Sequence, residues 1–260
     1  MKVGIIGHGR MGKLYHEVVN ELGLELEFIC DVKGEIKDIP FFNDFKSAID
    51  SSKIDMVIIS TYGPSHYEIL KYAIKKNIKY IICEKPFTTS LKHADEVIDL
   101  LKNSETRLSV GYLRRYSDTY SKLLIKLNEN KIIGDVNSII ITSGAGGIST
   151  LGTHFIDLCT LIFSEKIKSI YAIPINKNYL NPRGKQFEDP GGYFILNFVN
   201  QKRAFIDMSD DLGIQPKIEI IGNYGRIEIN EIDKKIIGYS RNNENKKKPM
   251  NFYGLNNEII

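Results

Sequence analysis

The sequence has no long apolar run. Its longest runs, such as MVIIS at 56–60 and YIIC at 80–83, fall far short of the roughly 20 residues a membrane-spanning helix needs, so no membrane partner is expected. It also lacks an excess of one charge. Against 35 Lys and Arg stand 32 Asp and Glu, a formal net charge of +3. That balance gives no basic footprint for nucleic acid or an anionic bilayer. Cysteine is scarce: Cys30, Cys83 and Cys159 are the only three. An odd number of widely spaced thiols argues against a disulfide framework and against a zinc site, and no metal is expected. Their apolar flanks predict buried thiols. Internal repeats and low-complexity tracts are missing too. MKVGIIG runs straight into a strand pattern, with no signal-peptide pattern ahead of it. These absences leave a globular chain, expected in the cytoplasm. Its 260 residues suffice for a sizeable core and for one or two domains.

What is present is a change of rhythm. Up to about residue 115, short apolar runs alternate with segments of helical period. KVGII, LEFIC, DMVIIS, KYIICE and RLSVGY read as strands. MGKLYHEVVNEL, FKSAID, SHYEILKYAIKKN and SLKHADEVIDLLKN read as helices, the last with Ser90 as N-cap. Such alternation predicts a parallel sheet with helices on both faces. After the helix TYSKLLIKLNEN, strands dominate, and hairpins are expected near Asn200–Gln201 and Asn223–Gly225. One helix, GTHFIDLCTLIF, interrupts them. The expectation is an α/β domain over 1–115, then an α+β domain over 116–260 with an open, mostly antiparallel sheet.

GHGRMG, Gly7 to Gly12, has the spacing G-x-G-x-x-G between the first strand and the first helix. Gly7 permits a tight turn, Gly9 lets backbone approach a pyrophosphate, and Gly12 lets helix and strand pack closely. Arg10 and Met11 open the helix, whose N-terminal amides suit phosphate. A glycine-rich turn without a ligand is the bland alternative. Asp31 ends the second strand, about 20 residues beyond the motif, where an acid binds the ribose 2′-hydroxyl and repels a 2′-phosphate. NAD is therefore the expected cofactor, with NADP as the alternative because Lys33 is close by. Thr61, Pro64 and His66 follow the third strand on the ligand-binding carboxyl edge, and His66 either contacts the cofactor or caps the next helix. CEKPF ends a further strand on the same edge. This places Glu84 and Lys85 beside the cofactor crevice, with Pro86 fixing the local chain.

GIIGHGRMG at 4–12, STYGPSH at 60–66, CEKPF at 83–87, VGYLRRY at 110–116 and GTHFIDL at 152–158 together resemble the glucose–fructose oxidoreductase, inositol dehydrogenase and MocA family of NAD(P)-dependent oxidoreductases. The resemblance spans most of the chain, and its glutamate–lysine–proline motif is the most specific part. It implies hydride transfer between nicotinamide and a sugar or nucleotide-sugar carbinol, with Lys85 catalytic and His154 as acid/base. It further implies a cis bond before Pro86, Asp157 and Arg115 on the substrate side, and a homodimer or homotetramer formed through the open sheet. Thr150, His154 and Asp157 stand at helical i, i+4 and i+7, beside an apolar stripe of Leu151, Phe155, Leu158 and Ile162. Any surface helix shows such stripes.

The sequence also departs from the family pattern. Thr150 stands where the family carries an aspartate, so this position binds substrate by hydrogen bonds only. Leu113 replaces an asparagine, and the chain is shorter than most members. Arg114, Arg115, Arg183 and Lys185 suit an anionic substrate or are merely basic loop residues. Two rival readings remain: an NAD(H)-binding protein without catalysis, acting as sensor or partner, and a reductase of a non-sugar carbonyl or imine.

Overall fold

The computed structural model describes residues 1–34, 36–144, 146–175, 188–250 and 257–260. The chain divides into two compact units, Met1–Tyr112 and Leu113–Ile260. The division precedes the 115/116 boundary expected from the rhythm. The physical reason is that the 3-10 turn Leu113–Tyr116 packs against helices of the second unit.

In the first unit the elements are β1 (Lys2–Ile6), α1 (Arg10–Glu21), β2 (Glu25–Cys30), β3 (Phe41–Phe42), α2 (Phe45–Asp50), β4 (Met56–Ile59), α3 (Gly63–Lys75), β5 (Tyr80–Cys83), α4 (Leu91–Lys102) and β6 (Arg107–Val110). The strands form one sheet in the order β3-β2-β1-β4-β5-β6, parallel throughout. They are near-continuous apolar runs because both faces are covered. Val3, Ile5, Val19 and Ile29 form one cluster, and Val57, Ile59, Leu70 and Ile81 belong to another. Asp44 caps α2 by accepting from the Ser47 amide at 2.8 Å. Ser90 holds the N-cap position of α4, but its side chain makes no capping bond. In this strand order the winding reverses between β1 and β4, and their carboxyl ends diverge there into a crevice.

The second unit contains α5 (Asp118–Asn128), β7 (Val136–Thr142), α6 (Thr153–Phe163), β8 (Ile167–Ile175), β9 (Gly191–Phe198), β10 (Arg203–Asp207), β11 (Lys217–Gly222), β12 (Gly225–Asn230), β13 (Lys235–Arg241) and β14 (Asn257–Ile259). Its sheet runs β14-β13-β12-β11-β7-β10-β9-β8. Among the described residues, the β7–β10 pair alone is parallel. The β9–β10 hairpin turns at Asn200 and Gln201, both with positive φ. Phe155, Leu158 and Phe163 of α6 and Leu123 and Leu127 of α5 share one core with Ile139, Ile141, Leu196 and Ile206. Period-two alternation sends the intervening residues to the opposite face. There Tyr171, Ile195, Phe205 and Ile140 are successive cross-strand neighbours, and Tyr171, Phe205 and Ile140 are exposed. The α/β plus mostly antiparallel architecture is the expected one. The two-residue β3 and the edge strand β14 were not expected.

Because adjacent residues of β7 face opposite ways, Ile141→Ala should cost about 2–5 kcal/mol through the cavity it leaves, and Ile140→Ala well under half of that. Urea unfolding of both variants checks this, and equal losses would contradict the facing of the sheet.

Candidate functional site

In the first unit each motif glycine has its own steric reason. Gly7 has φ +90°, and a Cβ there would lie 2.7 Å from the Ser60 carbonyl carbon and the Thr61 nitrogen. A Cβ on Gly12 would lie 2.0 Å from the Gly7 oxygen, whereas a Cβ on Gly9 would meet nothing within 4 Å. Gly9 is also the N-cap of α1 and brings no side chain to the first-turn amides of Arg10, Met11 and Gly12. Asp31 Oδ2 accepts the His8 amide at 2.6 Å and Oδ1 the Lys33 amide at 3.1 Å. The acid at the end of β2 thus also shapes the glycine turn, and Lys33 meets it through backbone. The His8 ring stands 3.2 Å from His16, Nε2 to Nδ1. Burial, then the neighbouring His16 and Lys13, lower the His8 pKa. No sequence pattern marked that pair. Open space at Gly9, uncapped first-turn amides and an acid on the adjacent strand fit a dinucleotide. The pyrophosphate would lie on the turn from Gly9 to Gly12, and a ribose hydroxyl at Asp31.

The loops after β4 and β5 are tied together from beneath. His66 is 0% exposed. Its Nδ1 lies 2.8 Å from the Pro86 carbonyl oxygen and its Nε2 3.2 Å from that of Thr61. It is therefore neither on the surface to meet a ligand nor a helix cap, since Tyr62 holds that position. Pro64 lies in the first turn of α3, where its missing N–H costs nothing. Thr61 accepts from the Ser65 hydroxyl at 2.7 Å. The Lys85–Pro86 bond is cis, as the resemblance implied. Glu84 is 5% exposed, and its Oε1 accepts from the Tyr15 hydroxyl at 2.8 Å. A Cβ on Gly111 would sit 2.9 Å from that same oxygen. Burial and the Glu84 carboxylate raise the Tyr15 pKa. Tyr15 escaped the sequence reading because a lone tyrosine on a helix carries no motif. Lys85, half-buried, follows at the carboxyl edge that also carries the glycine turn.

In the second unit the candidate residues are bound to one another. Arg114 donates to Glu231 through both Nε (2.7 Å) and Nη2 (2.5 Å), Tyr120 donates to the same carboxylate at 2.7 Å, and the guanidinium stands 5.1 Å over the Phe155 ring. Burial acts to raise the Glu231 pKa, but the Arg114 and Tyr120 bonds, with a smaller contribution from His154, bring it below its ordinary value. Arg115 Nε donates to Asp157 at 2.8 and 2.9 Å, and Nη2 reaches Thr160 Oγ1 at 3.2 Å. The resemblance implies that Arg115 and Asp157 lie on the substrate side; the structure pairs them with each other. Arg183 and Lys185 lie outside the described residues.

His154 belongs to α6, but Thr150 does not. Ile148–Gly152 forms a π-turn, with the Gly152 amide donating to the Gly147 oxygen at 3.2 Å. The expected uninterrupted i, i+4, i+7 face is thus broken at its start. An outside acceptor caps this start. The Asp189 carboxylate takes the Ser149 and Thr150 amides at 2.7 and 2.9 Å. Neither Asp189 nor Glu231 was singled out in the sequence, because both partners are distant along the chain. Among the described residues, no group of three or more His, Cys, Asp or Glu side chains is placed to hold a metal ion. No described helix is long and apolar enough to cross a membrane.

The strand order and glycine turn define a dinucleotide-binding unit. Residues 1–112, the first unit, match the model of the oxidoreductase family with an NAD-binding Rossmann fold, and beyond them the chain is similar to curated members of the inositol dehydrogenase kind. It is 26% identical over 254 residues to the myo-inositol 2-dehydrogenase of Thermotoga maritima, covering 87% of this chain and 74% of that one. It is 24% identical over 255 residues to the inositol 2-dehydrogenase/D-chiro-inositol 3-dehydrogenase of Lacticaseibacillus casei, covering 88% and 72%. The crystal structure of an oxidoreductase from Agrobacterium radiobacter in complex with NAD+, L-tartaric acid and magnesium superposes with TM-score 0.77. That match has 21% identity and covers 93% of this chain and 77% of the other. At that identity the likeness is one of fold.

The contrast among the glycines yields a test. Gly9→Ala should leave the thermal midpoint unchanged and weaken NADH roughly tenfold or more, about 1.4 kcal/mol per factor of ten. Fluorescence titration measures it, and wild-type affinity in this variant would remove Gly9 from the cofactor contact.

Proposed function

We propose that the chain is an NAD-dependent dehydrogenase that interconverts a CH–OH group and a ketone on an uncharged polyol of the sugar or inositol kind. The carrying observation is that Glu84-Lys85-Pro86 and the glycine turn stand on the same carboxyl edge of one parallel sheet. The relatives named inositol 2-dehydrogenases support the substrate class. So does the pairing of Arg114 with Glu231 and of Arg115 with Asp157. Each guanidinium already has its carboxylate, so a phosphate or carboxylate on the substrate would have to displace one of them.

In this reading the first unit holds NAD and the second holds the substrate. When bound, NAD supplies the hydride-accepting nicotinamide. The Lys85 amine hydrogen-bonds the substrate hydroxyl and takes its proton as the carbinol carbon is oxidised. The His154 imidazole assists as acid/base. Thr150 offers a hydroxyl for orientation, and Glu84, held by Tyr15, fixes the turn that aims Lys85. A second reading, an NAD(H)-binding protein without catalysis, rests on Thr150 standing in for an acid. A third, a reductase of a non-sugar carbonyl or imine, rests on the same scaffold.

Incubation with NAD and a panel of inositols and sugars should yield NADH, read by its absorbance. Lys85→Ala should lower turnover by at least about 10²-fold, the lower range for a lost acid/base group, with NADH still bound. Full activity in Lys85→Ala sinks the assignment. NADH binding without turnover of any polyol favours the sensor, and a strong NADPH preference favours the reductase.

We further propose that the row of exposed Tyr171, Phe205 and Ile140 with half-buried Ile195 between them is the face through which copies of the chain assemble as a homodimer or homotetramer. A band of large apolar side chains across four neighbouring strands is the kind of patch that marks an interface. Sedimentation should show an oligomer that Phe205→Asp shifts towards monomer. A monomeric wild type at micromolar concentration would refute this assembly.

A further inference from the structure

We propose that Asp189 is a positioning residue for the second-unit groups, Thr150 and His154. This rests on the dehydrogenase reading above and extends it to a residue to which no role has been given. Asp189 precedes β9 and is remote in sequence from α6, yet its two carboxylate oxygens are each committed to that helix's approach. Oδ1 accepts the Ser149 amide at 2.7 Å, and Oδ2 accepts the Thr150 amide at 2.9 Å. Charge-assisted bonds of this kind are short and directional.

Three further observations show the turn fitted around this carboxylate. Gly147 has φ +72°, and a Cβ there would lie 2.2 Å from Asp189 Oδ2, so only glycine admits the acid. The Ile148 amide donates to the Pro190 oxygen at 3.1 Å, adding a backbone bond beside the carboxylate. Thr153 Oγ1 donates to the Ser149 oxygen at 3.0 Å and joins the turn to the first residue of α6. The resulting turn has the i to i+5 bond of a π-helix, a rare local form that recurs at functional sites.

The consequence concerns the residues the turn carries. Thr150 sits inside it, and His154 lies one residue into the helix that it launches. An α-helical turn in place of the π-turn would rotate Thr150 relative to His154. Asp189 fixes the start of this turn by accepting two first-turn amides that have no acceptor within it. Thr150 itself cannot ionise. The carboxylate in this neighbourhood therefore comes from the strand side, bound to the Thr150 backbone, and the helix start is closed to an anionic substrate group.

The test uses the whole chain, with the variants Asp189→Asn, His154→Ala and the double variant. Asn keeps the size of the side chain and loses the charge and one of the two acceptors. The expected result for Asp189→Asn is kcat lowered roughly tenfold to a hundredfold, the range for a reacting group displaced by about 1 Å. NADH affinity should stay within about twofold, because the cofactor residues belong to the other unit. On the His154→Ala background the same change should cost little more, since Asp189 acts through the groups the turn positions. A merely structural role would lower the thermal midpoint and leave kcat per folded molecule unchanged. That result, or full multiplicative losses in the double variant, overturns the proposal. Amide hydrogen exchange of the wild type gives an arm independent of activity and of the variants' folding. The Ser149 and Thr150 amides should exchange far more slowly than in an unstructured peptide, and fast exchange at both overturns the proposal. Should the wild type oxidise no polyol, the dehydrogenase reading fails by itself, and the exchange arm alone decides whether Asp189 holds the turn.

Discussion

Parallel pairing of β1 with β4 and of β4 with β5 is the constraint on which the first unit depends. A parallel pair cannot be closed by a tight turn, so each strand must return through a helix. Every strand therefore releases its chain at the same edge. The Gly7 turn, the Thr61 loop and the Glu84-Lys85-Pro86 turn emerge side by side there because the registers Ile6 with Ile59 and Ile59 with Cys83 are level. His66 lies between two of these loops, its ring nitrogens 2.8 and 3.2 Å from their carbonyl oxygens, one of which the neutral ring's N–H can donate to. A fully buried imidazole would be a liability without such partners. Placed there, it packs the Thr61 and Pro86 loops against one ring.

Buried or half-buried carboxylates do a comparable task throughout the chain. Asp31, Glu84, Asp189 and Glu231 each accept protein hydrogen bonds from residues far along the sequence. Removing a carboxylate from water is costly unless donors replace the lost hydration. Each of these acids therefore dictates the local path of whatever supplies its donors. Asp31 shapes the glycine turn, Glu84 anchors α1 to the lysine turn through Tyr15, Asp189 caps the turn before α6, and Glu231 fixes Arg114 over Phe155. The donors are chiefly backbone amides at the first and third sites and side chains at the others, so the first and third act directly on chain geometry.

Much of the fold was legible because its signals are local. Apolar runs of four to six residues separated by helical periods led to the parallel sheet, and the glycine spacing led to the turn. The strands of the second unit alternate in period two, and their hairpins announce themselves by turn residues. What the sequence hid was long-range pairing. Arg114 and Arg115 read as available cations because their partners Glu231 and Asp157 lie 117 and 42 residues away. His66 read as a surface ligand contact or a cap because nothing in STYGPSH shows that the Pro86 loop lies above it. Thr150 and His154 read as one helical face because helical periodicity does not register the wider i to i+5 turn before α6.

At position 150 the difference from the resembled family pattern lies in the side chain, threonine for aspartate. Asp189 holds the backbone amide of that residue through its carboxylate, and the threonine brings a hydroxyl that can both donate and accept but no second acid. In the proposed reaction the task of Thr150 is therefore orientation, and Lys85 and His154 are the ionisable groups proposed to move a proton.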